Sequence, residues 1–225
     1  MEKVPFIHIV ASSPRPEDVG KLAAWYKDVH VPMLMKYGVK SAERFKILAE
    51  SPDYPTYLNM YHYADLRGYE KRLSPEASNE ITKDVQATWP NGYGIRWRVG
   101  YLEHKKWRAP GAAPLTEGAV IHIVGVNGPA LDKDVEFNQW YDNTHVSWLM
   151  KTGTIAEAAR YRIFQLSKDY PTYLAVYYFE NKGNYKTFTD HPERLAAGKE
   201  LTEHWLGGIG SMWRVQYQMV KGWKE

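Results

Sequence analysis

One phrase occurs twice in this chain. "WYKDVHVPMLM" runs from Trp25 to Met35 and "WYDNTHVSWLM" from Trp140 to Met150, so Trp25 answers Trp140, Tyr26 answers Tyr141 and His30 answers His145. The correspondence continues on both sides. "FIHIV" at Phe6–Val10 answers "VIHIV" at Val120–Val124, which pairs His8 with His122. "DYPTYL" occurs at Asp53 and again at Asp169, and "IRWRVGY" from Ile95 matches "SMWRVQY" from Ser211. Similarity held in one order over roughly a hundred residues is a tandem duplication of a globular unit, because solenoid repeats are shorter and need at least three copies. The expected repeats are residues 1–108 and 116–225, and the Pro- and Gly-bearing stretch "RAPGAAPLTEG" (Arg108–Gly118) reads as the linker between them.

Each half shows the same succession of patterns. A short apolar strand precedes a helix (about 17–37 and 133–152), and two strands follow, the second beginning at "PTYL". A second helix and a last strand (95–102 and 211–220) complete the half. That order, β-α-β-β-α-β, is the split or ferredoxin-like arrangement of an α+β protein. In "YLAVYYF" (Tyr173–Phe179) neither alternate set is polar, so both faces of the strand should be covered. Helices cover one face, which leads to the expectation that the sheets of the two halves face each other.

Composition narrows the function classes. With 44% hydrophobic residues in 225, there is material for real cores. The formal charge of +3 comes without a clustered basic face, so nucleic acid is not an expected partner. No cysteine is present, which removes disulfides, thiolate nucleophiles and cysteine metal sites. No apolar run approaches a membrane span, and the chain reads as cytoplasmic. There is no H-E-x-x-H, G-x-S-x-G or P-loop pattern, so neither a dedicated metal site nor a cofactor is expected. The glycine-rich "GGIGSMW" (Gly207–Trp213) precedes a strand and reads as a turn.

The repeated W-Y-x-x-x-H-V phrase resembles the first-helix signature of the dimeric α+β barrel superfamily, closest to its EthD-like and polyketide-cyclase-like members. The resemblance spans both halves and implies a single-chain, pseudo-dimeric barrel built from two ferredoxin-like repeats. It departs at Ser147, which stands where the first copy has Pro32. Pro32 is expected to disturb backbone bonding around Asp28, and the second helix to run on more smoothly past His145.

Several side chains are candidates for chemistry. On a regular helix Leu22, Tyr26, Val29 and Met33 share one apolar face, as do Phe137, Tyr141, Thr144 and Trp148, with His30 and His145 at its edge. His8 and His122 sit in the middle of doubly covered strands, where a polar ring needs a hydrogen-bond partner or a ligand. The resemblance to polyketide cyclases, several of which carry a first-strand histidine in the substrate pocket, adds weight to this pair. His191, in "TDHPERL", resembles the histidine that opens the second helix of those cyclases, with Arg194 where a second histidine is expected there. The plain alternative is a helix start with proline in first position. His62 offers partial compensation in the first half.

The expected activity is cofactor-independent acid–base chemistry on a hydrophobic aromatic or polyketide-like molecule: dehydration, aldol-type cleavage or closure, or isomerisation. His8 or His122 would be the base, His30 or His145 the acid or orienting partner, and Tyr26 or Tyr141 the hydrogen-bond donor. Trp25, Trp97, Trp140, Trp148 and Trp213 would supply an aromatic wall, and the second half is expected to do the chemistry. A cofactor-free monooxygenase on a phenol begins with the same deprotonation. Tandem α+β barrels also include chlorite dismutase-like and aldoxime dehydratase-like haem enzymes, for which His145, His191 or His204 would be the iron ligand. A binding protein without catalysis is a third reading, and pairing of two such chains into a homodimer is left open.

Overall fold

A computed structural model describes residues 4–205 and 209–224. Gly207 and Gly208 of the glycine-rich turn therefore lie outside the described residues. The described residues form a mixed α+β protein of eight strands and two sets of helices, which divides into two compact units. One comprises Met1–Leu102 with Val220–Glu225, and the other Glu103–Met219. The division does not fall in the Arg108–Gly118 stretch. It falls within the two long strands, β4 (Ile95–Arg108) and β8 (Ser211–Lys224), each of which contributes residues to both units.

In the first unit β1 (Phe6–Ser12) lies between β3 (Tyr57–Tyr63) and β4, and β3 pairs on its other edge with β2 (Val39–Ile47), all antiparallel. The second unit repeats this: β5 (Val120–Val126) lies between β7 (Tyr173–Phe179) and β8, and β7 pairs with β6 (Glu157–Ile163). Every residue of β1 and of β7 is buried, which is why neither strand alternates in sequence.

The first helix of each unit is broken in the same way. In the first unit α1 (Val19–Trp25) and α2 (Val31–Lys36) flank a single π turn, Tyr26–His30. In the second, α5 (Asp134–Trp140) and α6 (Val146–Met150) flank Tyr141–His145. Since the second copy has serine where the first has Pro32, proline is not the cause, and the expectation of a smoother second helix is corrected. The wide turn also corrects the helical face. An inserted residue rotates every later side chain around the axis, so Val29 is 40% exposed and Thr144 faces solvent. His30 with Val31, and His145 with Val146, are carried inward instead. Both helices then stop at a glycine in the left-handed region, Gly38 (φ 101°) and Gly153 (φ 66°). Their amides bond back to Met35 and Met150, an ending that only glycine adopts without steric cost.

The second helix of each unit is two helices. Leu66–Arg72 (α3) and Pro75–Thr88 (α4) part at Ser74, whose side chain accepts the Ala77 amide. Lys182–Asp190 (α7) and Pro192–Trp205 (α8) part at His191. No helix is long and apolar enough to cross a membrane among the described residues.

Candidate active site

In the second unit a cavity of about 300 Å³ opens between the sheet and the helices. His122 from β5 and Tyr177 from β7 form part of its sheet side, Tyr141 and His145 enter from the π turn, and Arg194 and Trp205 come from α8. Phe188, Leu149, Ile209 and Arg214 also border it. The π turn explains how Tyr141 and His145 come together: four residues apart on a wide turn, both rings point inward, with centroids 4.9 Å apart.

The polar groups are held from behind. His122 Nδ1 lies 2.8 Å from the Gln216 amide nitrogen, on the neighbouring strand of the register. The Tyr141 and Tyr177 hydroxyls are hydrogen-bonded at 3.2 Å. The Arg160 guanidinium lies 4.2 Å from the centre of the Tyr141 ring and pairs with Asp142, which also accepts from His104 at 3.0 Å. Burial would push the Asp142 carboxyl up, but the bonds from His104 and Arg160 outweigh it and hold it below the usual range. His145 lies under the Trp140 ring, centroids 5.1 Å apart, and its Nδ1 is enclosed without a hydrogen-bond partner.

Electrostatically the site keeps its histidines neutral. Burial, with the charges of Arg214 and Arg194, lowers His122 to about 3. Burial, Arg160 and Arg214 lower His145 to about 4. Neither is poised near pH 7 in the empty site. Burial also raises Tyr141 and Tyr177 above the ordinary phenol value, so both hydroxyls are donors at neutral pH.

Of the residues singled out in sequence, the cavity brings together His122, Tyr141, His145 and Arg194. It does not include His191, whose Nδ1 accepts the Glu193 amide at 3.2 Å and so caps α8. The helix-start reading of "HPERL" is the one seen. Trp140 and Trp148 stand behind the wall, their indole N–H groups donating to Glu200 and Glu193. Trp213 packs edge-on to Tyr170 and does not border the cavity. Trp205, Tyr177 and Arg214 were missed, although "WRV" repeats in both halves and Tyr177 occupies the register position opposite His122.

The first unit holds the matching residues in a packed core. His30 stacks on Trp25 with centroids 4.2 Å apart, and Trp25 donates to Asp84 at 2.9 Å. Tyr26 hydrogen-bonds Asn59 at 3.3 Å, and Tyr93 lies 5.5 Å from the Trp25 ring. His8, 4% exposed, contacts Tyr61 and Tyr69, and is lowered to about 3 by burial, Arg72 and Arg98; burial and the same arginines bring His30 to about 3. His62 turns to Glu43 at 2.8 Å, and Trp97 meets Tyr54 edge-on.

No family model matches this sequence, and no curated protein matches it closely enough to count. Solved structures do match. A candidate monooxygenase from Fusobacterium nucleatum subsp. nucleatum superposes with a TM-score of 0.69 at 12% identity, covering 100% of this chain and 96% of that one. An anthrone oxidase-like protein gives 0.65 at 14% identity, over 99% and 94%. A mutant of the chlorite dismutase from Candidatus Nitrospira defluvii gives 0.63 at 10%, over 98% and 93%. At these identities the likeness is one of fold alone.

Of the three histidines considered as haem ligands, His145 alone borders the cavity. About 300 Å³ is at the low end for small-molecule pockets. His191 is committed to its own helix, and His204, 63% exposed in its side chain, turns to Glu200 outside the cavity. Among the described residues no group of three or more His, Asp or Glu side chains is arranged to hold a metal ion.

Proposed function

We propose that this protein is a cofactor-independent enzyme that removes a proton from a hydrophobic aromatic small molecule, a phenol or an enolisable aryl ketone. The observation that carries this reading is the meeting of His122, Tyr141, His145, Arg194 and Arg214 on one aromatic-walled cavity. The resemblance to EthD-like tandem repeats and the names of the structural neighbours point the same way.

His122 would be the base. A histidine lowered to about 3 is a weak one in the empty site, but an anion forming beside it stabilises the imidazolium by opposite charge. Arg214 and the Tyr141 hydroxyl would meet the developing oxyanion, and Tyr177 would fix the direction of the Tyr141 O–H. Proton removal is thus coupled to binding. His145 would orient the substrate or return the proton. Phe188, Trp205 and Leu149 would give the substrate ring an apolar surface to rest on.

Two fates of the anion fit this site. The neighbours named monooxygenase and anthrone oxidase-like favour transfer of its electrons to dioxygen. Dehydration, aldol-type cleavage or ring closure uses the same acid–base pair and needs no oxidant. Turnover of an anthrone and of a polyketide-like aryl ketone, followed by absorbance with and without dioxygen, separates them. Dioxygen-dependent turnover supports the oxygenase, and anaerobic turnover supports the lyase or cyclase. In either case His122→Ala or His145→Ala should lower turnover by about 10²-fold or more. Full activity in both variants would remove the assignment.

A further inference from the structure

Two arginines border the cavity, and among the described residues no acidic side chain does. The carboxylates nearest in sequence on α8 are already engaged: Glu193 accepts the Trp148 indole N–H, and Glu200 accepts that of Trp140. Arg194 forms no ion pair among the described residues, and it is part-buried on the cavity wall. A part-buried guanidinium on a cavity wall, with no ion pair of its own among the described residues, is available to an anionic group of a ligand.

The two arginines also act at different places. The charge of Arg214 is felt by His122, Tyr141, His145, Tyr177 and Tyr185, whereas that of Arg194 is felt by His122 and Tyr185 and not by Tyr141, His145 or Tyr177. One sits beside the candidate acid–base groups and the other off to one side of His122. Counted from the proline that opens each helix, Pro75 and Pro192, the first half carries Ala77 where the second has Arg194. The arginine is thus particular to the half that has the cavity described.

We propose that the ligand of this cavity carries a fixed carboxylate, held by Arg194, in addition to the group that loses the proton: the substrate class is a hydrophobic aromatic carboxylic acid. The proposal rests on the reading of the cavity as a small-molecule site, and it does not require that turnover follow. Arginine recognises carboxylate through two parallel N–H bonds, so the preference has a geometric as well as a coulombic part.

The test is a comparison of 2-naphthoate with 2-naphthamide, which match in shape and differ in charge, by quenching of tryptophan fluorescence, Trp205 being in the wall. Naphthoate should bind at least about tenfold more tightly than the amide, the scale of hydrogen bonds to a charged group. Arg194→Gln should bring that ratio down to about twofold, and Lys199→Gln, an exposed change on the same helix, should leave it as it was. A ratio of two affinities in one sample is insensitive to the fraction folded. Equal affinities in the unaltered protein, a ratio unmoved by Arg194→Gln, or no naphthoate binding at millimolar concentration would overturn the proposal. A preserved carboxylate preference with no turnover of any aryl substrate would instead remove the catalytic reading alone.

Discussion

The amide nitrogen of Gln216 lies 2.8 Å from Nδ1 of His122, so the two side chains share one proton position. A glutamine can serve either tautomer. Donating its N–H, it leaves a proton on Nε2; turned over, it accepts from Nδ1–H and leaves the Nε2 lone pair for a substrate. Gln216→Leu removes both options and should lower turnover by about tenfold or more. Gln216→Glu places a carboxylate against the ring and should raise the His122 pKa from about 3, moving any acidic limb of the rate profile to higher pH. Imidazole NMR titration of the two variants measures it; an unmoved His122 in the glutamate variant would show that the contact does not govern the ring.

Acid should unfold this protein early. His8, His30 and His122 are lowered to about 3 and His145 to about 4, chiefly by burial, against an unfolded value near 6.5. Above pH 6.5 both states leave these rings neutral, and they contribute no pH dependence. Below it the unfolded chain takes up protons that the folded chain refuses, so stability falls with pH until about 3 to 4. Between pH 7 and pH 5 each ring accounts for about 2 kcal/mol. Urea unfolding at the two pH values should show the loss, and His122→Gln should reduce it by about that amount. A difference between the pH values that the substitution leaves unchanged would show that His122 is not kept neutral by the fold.

Much of this was legible in the sequence, and the failures have physical causes. The strands were readable because β1 and β7 are buried on both faces, so an unbroken apolar run was the right signal. The pairing of His122 with a partner followed from a polar ring in such a strand. Val29 and Thr144 were misplaced because a 3.6-residue period was imposed on a segment that contains a π turn, and no residue type marks that turn. Trp140 and Trp148 were assigned to a wall because tryptophan suits one. Their indole N–H groups needed buried acceptors, and Glu200 and Glu193 lie 60 and 45 positions away. Arg194 was found through a family resemblance, whereas Arg214 sat unremarked in a repeated phrase.

Arg160 should matter to stability more than its first-half counterpart Arg44. Arg160 is 2% exposed and pairs with Asp142, while its other nitrogen donates to Asn138 at 2.8 Å. Arg160→Met leaves a buried carboxylate with His104 and a distant Lys105, and breaking such a pair costs about 3–5 kcal/mol. Arg44 instead donates to a neutral amide, Asn59, at 3.1 Å and stacks between Tyr26 and Tyr57. Arg44→Met strands no charge and should cost less. Urea midpoints of the two variants give the order, and Arg160→Met combined with Asp142→Leu should recover part of the loss. Equal costs at both arginines would mean that packing, not the ion pair, dominates.

One difference between the halves stands on the cavity wall. "WPNGYGIRWRV" and "WLGGIGSMWRV" align residue for residue, so Tyr93 of the first half stands where the second has Ile209. Tyr93 is 5% exposed, with its ring 5.5 Å from that of Trp25 and 6.0 Å from that of Trp89. Ile209 borders the cavity, as does Trp205. A phenol ring at that point in the second unit would take up space that a ligand needs. Ile209→Tyr should therefore weaken 2-naphthoate binding by about tenfold or more, as a filled cavity has no low-cost way to reopen. The reverse change, Tyr93→Ile, removes a packed ring and should cost about 2–4 kcal/mol of stability. Fluorescence titration and urea unfolding of both variants check the pair. Unaltered naphthoate binding in Ile209→Tyr would mean that the ligand lies elsewhere, and the assignment of the chemistry to the second half would go with it.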